Sequence, residues 1–158
     1  MSGELLADLL EEELTEKEPT NLELKDLQDV IKALRKARAM YSDEIHKAEV
    51  RLYEELASNL FHARLGKYLE GMNPKGFDSE LYKVVSRLEN LFKAVVTGAY
   101  AGSDKWKLFV VREPFILGKY SLEPGDLIVS DLNNVLNAVV GGYLDLVRLE
   151  RVGGNEGA

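Results

Sequence analysis

Residues 21–52 read NLELKDLQDVIKALRKARAMYSDEIHKAEVRL, and the reading of this stretch decides the fold. Leu24, Leu27, Ile31 and Leu34, then Tyr41, Ile45, Ala48 and Leu52, recur in alternating steps of three and four, with Arg38 in the one expected apolar place between Leu34 and Tyr41. That period predicts a helical seam. It continues less regularly through Leu56, Leu60, Ala63 and Leu65. An unbroken helix over 21–69 would measure roughly 70 Å at about 1.5 Å per residue, more than a chain of this size covers by itself. Two outcomes follow: Ser42-Asp43-Glu44 caps a new helix and the chain folds back, or another chain buries the seam.

Upstream, Leu5, Leu6, Leu9, Leu10 and Leu14 predict a first helix over 3–16, stopped before Pro19. Its other face is acidic, and Glu11, Glu12 and Glu13 read as a solvated face rather than as paired catalytic carboxylates. Downstream, the breakers Gly71 to Gly76 precede Asp78, a helix cap. The helix that follows carries Leu81, Val84, Val85, Leu88, Leu91, Phe92, Val95 and Val96 and ends near Gly98. The small residues of 98–104 mark a joint. Beyond Trp106 the period shortens to strands at 108–112, 115–117, 127–129 and 143–149. Before the last of these lies a helix capped by Asp131 and closed by Gly141-Gly142. The expected class is α+β. A helical domain over 1–100 leads through a flexible linker at 101–106 to a β-β-β-α-β domain over 107–150, with a disordered tail at 151–158.

The chain has 158 residues, 27 acids, 20 bases and no cysteine, which excludes a disulfide framework, thiolate zinc sites and a thiol nucleophile. Residues 1–30 carry ten acids and two bases, net -8, whereas 31–106 carry thirteen bases and ten acids, net +3. Apolar runs reach about four residues against the ~20 of a membrane helix. The start, Met1-Ser2-Gly3-Glu4, lacks the basic opening of a signal peptide, so a cytoplasmic location is expected.

Chemistry-bearing patterns are sparse. No nucleophile elbow, P-loop or dinucleotide fingerprint occurs, and the expectation is a chain without catalytic residues or cofactor. Asp43 and His46 share one helix face and would serve a carboxylate-bridged metal bundle only with further ligands from other helices. His62 lies roughly 24 Å from His46 along a straight helix, too far to share a metal. Lys32, Arg35, Lys36 and Arg38 form a basic cluster that reads either as a solvated face or as a DNA contact. Phe115, Leu117 and Tyr120 flank a candidate edge strand suited to strand addition by a partner, or pack on the helix at 132–140.

The helical domain, the joint, and the run Leu108 to Gly118, followed by Pro124-Gly125-Asp126-Leu127-Ile128-Val129 and a helix closing on Gly141-Gly142-Tyr143, together resemble a GINS replication subunit. The resemblance is to the archaeal class in which a helical A domain precedes a small β-rich B domain. It implies a non-enzymatic scaffold that forms a tetramer with a second GINS subunit or with its own copies. Such tetramers bind the MCM helicase and a RecJ-like exonuclease homologue and activate the helicase at the fork, which places them at the nucleoid. Carried onto this sequence, Leu24, Leu27, Ile31, Leu34, Tyr41 and Ile45 would build the bundle and its subunit contacts. Phe115, Leu117, Tyr120 and Tyr143 would lie in the partner-docking B domain. The rival from composition and pattern is a dimeric helical regulator with a ligand- or partner-binding β domain.

Overall fold

The computed structural model describes residues 2–149, and the tail from 151, expected to be disordered, lies outside them. Helices come first and a small antiparallel sheet last, the α+β class expected. Two compact units divide between Tyr82 and Lys83.

The first unit contains α1 (Ser2–Thr15), β1 (Asn21–Leu22), a 3-10 turn (Leu24–Leu27), α2 (Gln28–Met40), α3 (Glu44–Leu69), β2 (Lys75–Gly76) and the start of α4 (Ser79–Val96). Of the two outcomes open for residues 21–69, the chain folds back. Tyr41 and Asp43 adopt extended backbone, and the Asp43 carboxylate accepts from the Ile45 and His46 amides at the N-terminus of α3. α2 and α3 then pack together. Arg38, at the apolar place of the seam, donates from Nη2 to Glu54 Oε1 at 2.8 Å and ties one helix to the other. As an exposed pair it contributes at most about 1 kcal/mol.

Because Tyr41 to Asp43 are not helical, α3 takes a new phase. Its inward residues are Tyr53, Leu60 and Arg64; Tyr53 and Leu60 are buried together with Leu6, Leu22 and Val30, with Leu9, Leu10, Leu27 and Leu34 packed around them. The stripe read from sequence, Ile45, Ala48 and Leu52, faces outward instead. β1 and β2 pair in parallel over Asn21↔Lys75 and Leu22↔Gly76. A side chain at Gly76, φ +126°, would overlap the Leu22 carbonyl, so glycine lets the two strands meet.

In the second unit β3 (Lys107–Val111) lies between β6 (Leu127–Ser130) and β7 (Leu144–Leu146), antiparallel to both. β4 (Phe115–Leu117) and β5 (Tyr120–Leu122) make a separate hairpin around Gly118-Lys119. β5 is a strand more than the expected β-β-β-α-β. α5 (Leu132–Gly141) has the expected caps: Asp131 accepts from the Asn133 amide, and Gly142 closes the helix at φ +83°. Phe109, Val111, Val135, Val139, Leu144 and Leu146 form the core together with Leu91 and Ala94 of α4. The unit boundary therefore falls within α4 and not at the small residues of 98–104. Residues 101–106, expected as a linker, are hydrogen-bonded to the sheet: the Ala101 amide donates to the Val147 carbonyl, and the Ala101 carbonyl accepts from the Leu108 amide.

Candidate functional site

Two opposite charges interrupt the apolar seams of the first unit. Glu13 continues the Leu6, Leu9, Leu10 stripe of α1, and Arg64 follows Leu60 by one turn on the inner face of α3. They are 0% and 1% exposed. This corrects the solvated reading of Glu13, while Glu11 and Glu12 are exposed. Arg64 uses all five of its donors. Nε and Nη2 fork onto the Asp78 carboxylate at 2.7 and 2.9 Å, and Nη1 reaches Glu13 Oε2 at 2.9 Å and the Thr20 carbonyl at 2.7 Å. Nη2 also donates to the Lys75 carbonyl at 3.1 Å.

The same oxygen of Glu13 accepts from the Thr20 hydroxyl at 2.6 Å and the Thr20 amide at 3.1 Å. Its other oxygen makes no directional hydrogen bond but lies 2.8 Å from Lys67 Nζ, an ion pair. The Tyr82 hydroxyl donates to Asp78 at 2.8 Å. Asp78, expected as a helix cap, thus gives its carboxylate to Arg64 and Tyr82.

Burial pushes the Glu13 carboxyl up, but the Lys67 ammonium, the bonds from Thr20 and the Arg64 charge outweigh it and hold the group below its ordinary value. Burial opposes the Arg64 charge, and the Asp78 and Glu13 carboxylates more than restore it. Burial, then donation to Asp78, pushes the Tyr82 phenol up. Apart from Glu13 Oε1, whose contact is the Lys67 ion pair, the carboxylate oxygens of this cluster accept hydrogen bonds, and both carboxylates are closed to solvent, which suits a clamp and not acid–base catalysis. It ties α1, the β1–β2 pair, α3 and the start of α4 together. Sequence reading missed this cluster; the one trace it left is that Glu13 and Arg64 each stand in an apolar position of their helix, which shows only once α1 and α3 are packed together.

Several apolar side chains are left exposed. On α3, Ile45 is 80% and Leu52 56% exposed, beside exposed Met40 and Tyr41 at the α2–α3 turn. On α4, Leu88, Phe92 and Val96 form an outward stripe. In the sheet, Leu108 pairs with Val129 and Val110 with Leu127, on the face opposite Phe109 and Val111. Leu127 and Val129 are exposed.

The residues singled out from sequence divide accordingly. Leu27 and Leu34 pack against the first core and Ile31 is half-buried, whereas Leu24, Tyr41 and Ile45 are exposed. Phe115 and Leu117 pack half-buried on the second core, Tyr120 is exposed, and the Tyr143 ring sits 5.7 Å from that of Phe115. Lys32, Arg35 and Lys36 lie exposed on α2.

Asp43 and His46 engage each other, Nδ1 to Oδ2 at 2.6 Å, and the imidazole stacks on Tyr41 with ring centres 3.9 Å apart. The His46 amide and ring hold the Asp43 carboxyl below its ordinary value. Among the described residues no three His, Cys, Asp or Glu side chains gather as a metal site. No described helix is long and apolar enough to cross a membrane.

Compared with known families, residues 5–78 match the model for the GINS complex Gins15 subunit N-terminal domain. No curated protein matches the sequence.

Proposed function

The helical unit belongs to the Gins15 family of GINS subunits, and from that premise we propose that the chain is a non-enzymatic scaffold of the replication fork. GINS subunits act within a multi-subunit DNA replication complex. In our reading the α3 stripe of Ile45 and Leu52, with Tyr41 and Leu24, is covered by a second GINS-type subunit or by further copies of this chain, giving a tetramer. The β unit recruits partners, the MCM helicase and a RecJ-like exonuclease homologue, and through them the complex activates the helicase. The exposed basic face of Lys32, Arg35 and Lys36, with no acid between Val30 and Ser42, is the candidate face for DNA.

The observation that carries this reading is the doubled apolar character of α3. One stripe fills the core, while a second, one residue out of phase, stays bare and includes Ile45, one of the positions expected for subunit contacts, together with Leu52. Affinity purification of the tagged chain from its native cells is the test. A second GINS-type chain, or stoichiometric copies of this one, is expected to elute together with helicase. Recovery of the chain alone as a monomer would overturn the proposal.

A further inference from the structure

The second unit holds a cavity that the core does not need. About 250 Å³ in volume, it is lined by Arg87, Arg112, Arg148, Asp145 and Gly142, with Leu91 among the core residues at its base. Three guanidinium groups against one carboxylate concentrate positive charge in a chain of net charge -7. The arginines converge from separate places: Arg87 from α4, Arg112 from the end of β3, and Arg148 from just beyond β7.

Arg87, exposed, is anchored at one point. Its Nη1 donates to the Val140 carbonyl at 3.2 Å, at the C-terminal end of α5. Its guanidinium also lies so close to Gly142 that a β-carbon there would stand 3.0 Å from Cζ. Gly142 thus serves both the left-handed closure of α5 and the approach of Arg87. Arg112 Nη2 meets Asp145 Oδ2 at only 3.4 Å, with both side chains at least half exposed. A long, solvated contact of this kind is readily exchanged for a better acceptor. Arg148 is exposed.

We propose that this hollow receives an anionic side chain, carboxylate or phosphoryl, from an acidic segment of a protein partner. Planar guanidinium forks match the paired oxygens of either group, and Arg clusters are a recurring means of reading acidic and phosphorylated motifs. A nucleic-acid strand is the poorer fit. It needs basic side chains spaced along successive phosphates, whereas here the charge converges on one small hollow and shares its rim with Asp145. The site deepens the recruiting role proposed for the β unit, but the following assay reads the isolated chain, so its failure is separable from a failure to form a GINS complex.

The full chain is titrated into fluorescein-labelled twelve-residue peptides of alternating leucine with glutamate, glutamine or phosphoserine, and into a twelve-nucleotide thymidine strand. The glutamate peptide is expected to bind at least about tenfold more tightly than the glutamine peptide. Arg112→Ala combined with Arg148→Ala is expected to erase that preference with melting unchanged, because both side chains are exposed. Tighter binding of the phosphoserine peptide would identify a phosphoryl source, and tighter binding of the glutamate peptide a carboxylate source. Affinity for both the glutamate and the phosphoserine peptide no greater than for the glutamine peptide, no saturable binding of either anionic peptide, or an unaltered preference in the double variant would overturn the proposal. So would an arginine-dependent interaction with the thymidine strand alone.

Discussion

Arg64→Ala is expected to destabilise the helical unit by about 3–5 kcal/mol, the usual cost of removing one partner from a buried charge cluster. The alanine would leave the Glu13 and Asp78 carboxylates facing each other across a cavity, with Lys67 the remaining cation beside Glu13. It would also strip the Thr20 and Lys75 carbonyls of their donors. In a unit of some eighty residues a loss of this size lowers Tm by at least about 12 °C. Circular dichroism melts check it. A fall of less than about 1 kcal/mol, the scale of an exposed pair, would show that solvent reaches the cluster.

The same cluster sets an acid limit. The folded pKa of Glu13 is depressed, so its contribution is present above its unfolded value of about 4.3 and is lost as pH falls through the lower folded value. Glu13→Gln should flatten that acid limb of the stability profile.

Ile45→Glu together with Leu52→Glu is expected to break assembly and leave the fold intact. Both side chains are mostly exposed in the single chain, where surface substitutions usually change stability by no more than about 0.5 kcal/mol. Once another subunit covers them, two glutamates must be desolvated without partners. A combined penalty of about 4 kcal/mol or more, a modest figure for two buried charges, weakens association roughly a thousandfold. Sedimentation velocity of wild type and variant with their co-purified partners reads the loss, and thermal melts confirm the intact fold. An unchanged assembly would move the subunit contact elsewhere, with the α4 stripe of Leu88, Phe92 and Val96 the next surface to examine.

Local signals in the sequence proved readable because local geometry answers them. Asp131 and the Gly141-Gly142 pair mark α5 by caps that lie within a few residues of the atoms they satisfy. Asp43 does the same for α3. The phase of α3 was not readable in this way. Both faces carry apolar residues, and which turns inward is set by packing against α1, fifty residues earlier in the chain. β5 was missed because Tyr120-Ser121-Leu122 is too short to show a period, and its pairing depends on the turn at Gly118-Lys119.

The clamp was hidden for a related reason. Glu13 looks like its neighbours Glu11 and Glu12 until Arg64, fifty-one residues away, is placed opposite it. Of the proposed partner surface, Leu24, Tyr41 and Ile45 were legible as apolar helix positions and are exposed, but the sequence did not show that the chain folds back after Met40 and buries Leu27 and Leu34 itself. Phe115 and Leu117 were legible as apolar strand residues, but only the β4 register separates them, facing the core, from outward Ile116.

A photo-crosslinking benzophenone residue placed at position 45 in the native cell tests the central claim directly. The account predicts efficient crosslinks to a GINS-type subunit, a second chain or another copy of this one, under conditions where the same probe at exposed Glu55 of α3 captures little. Irradiation that yields only uncrosslinked monomer at position 45 would contradict it.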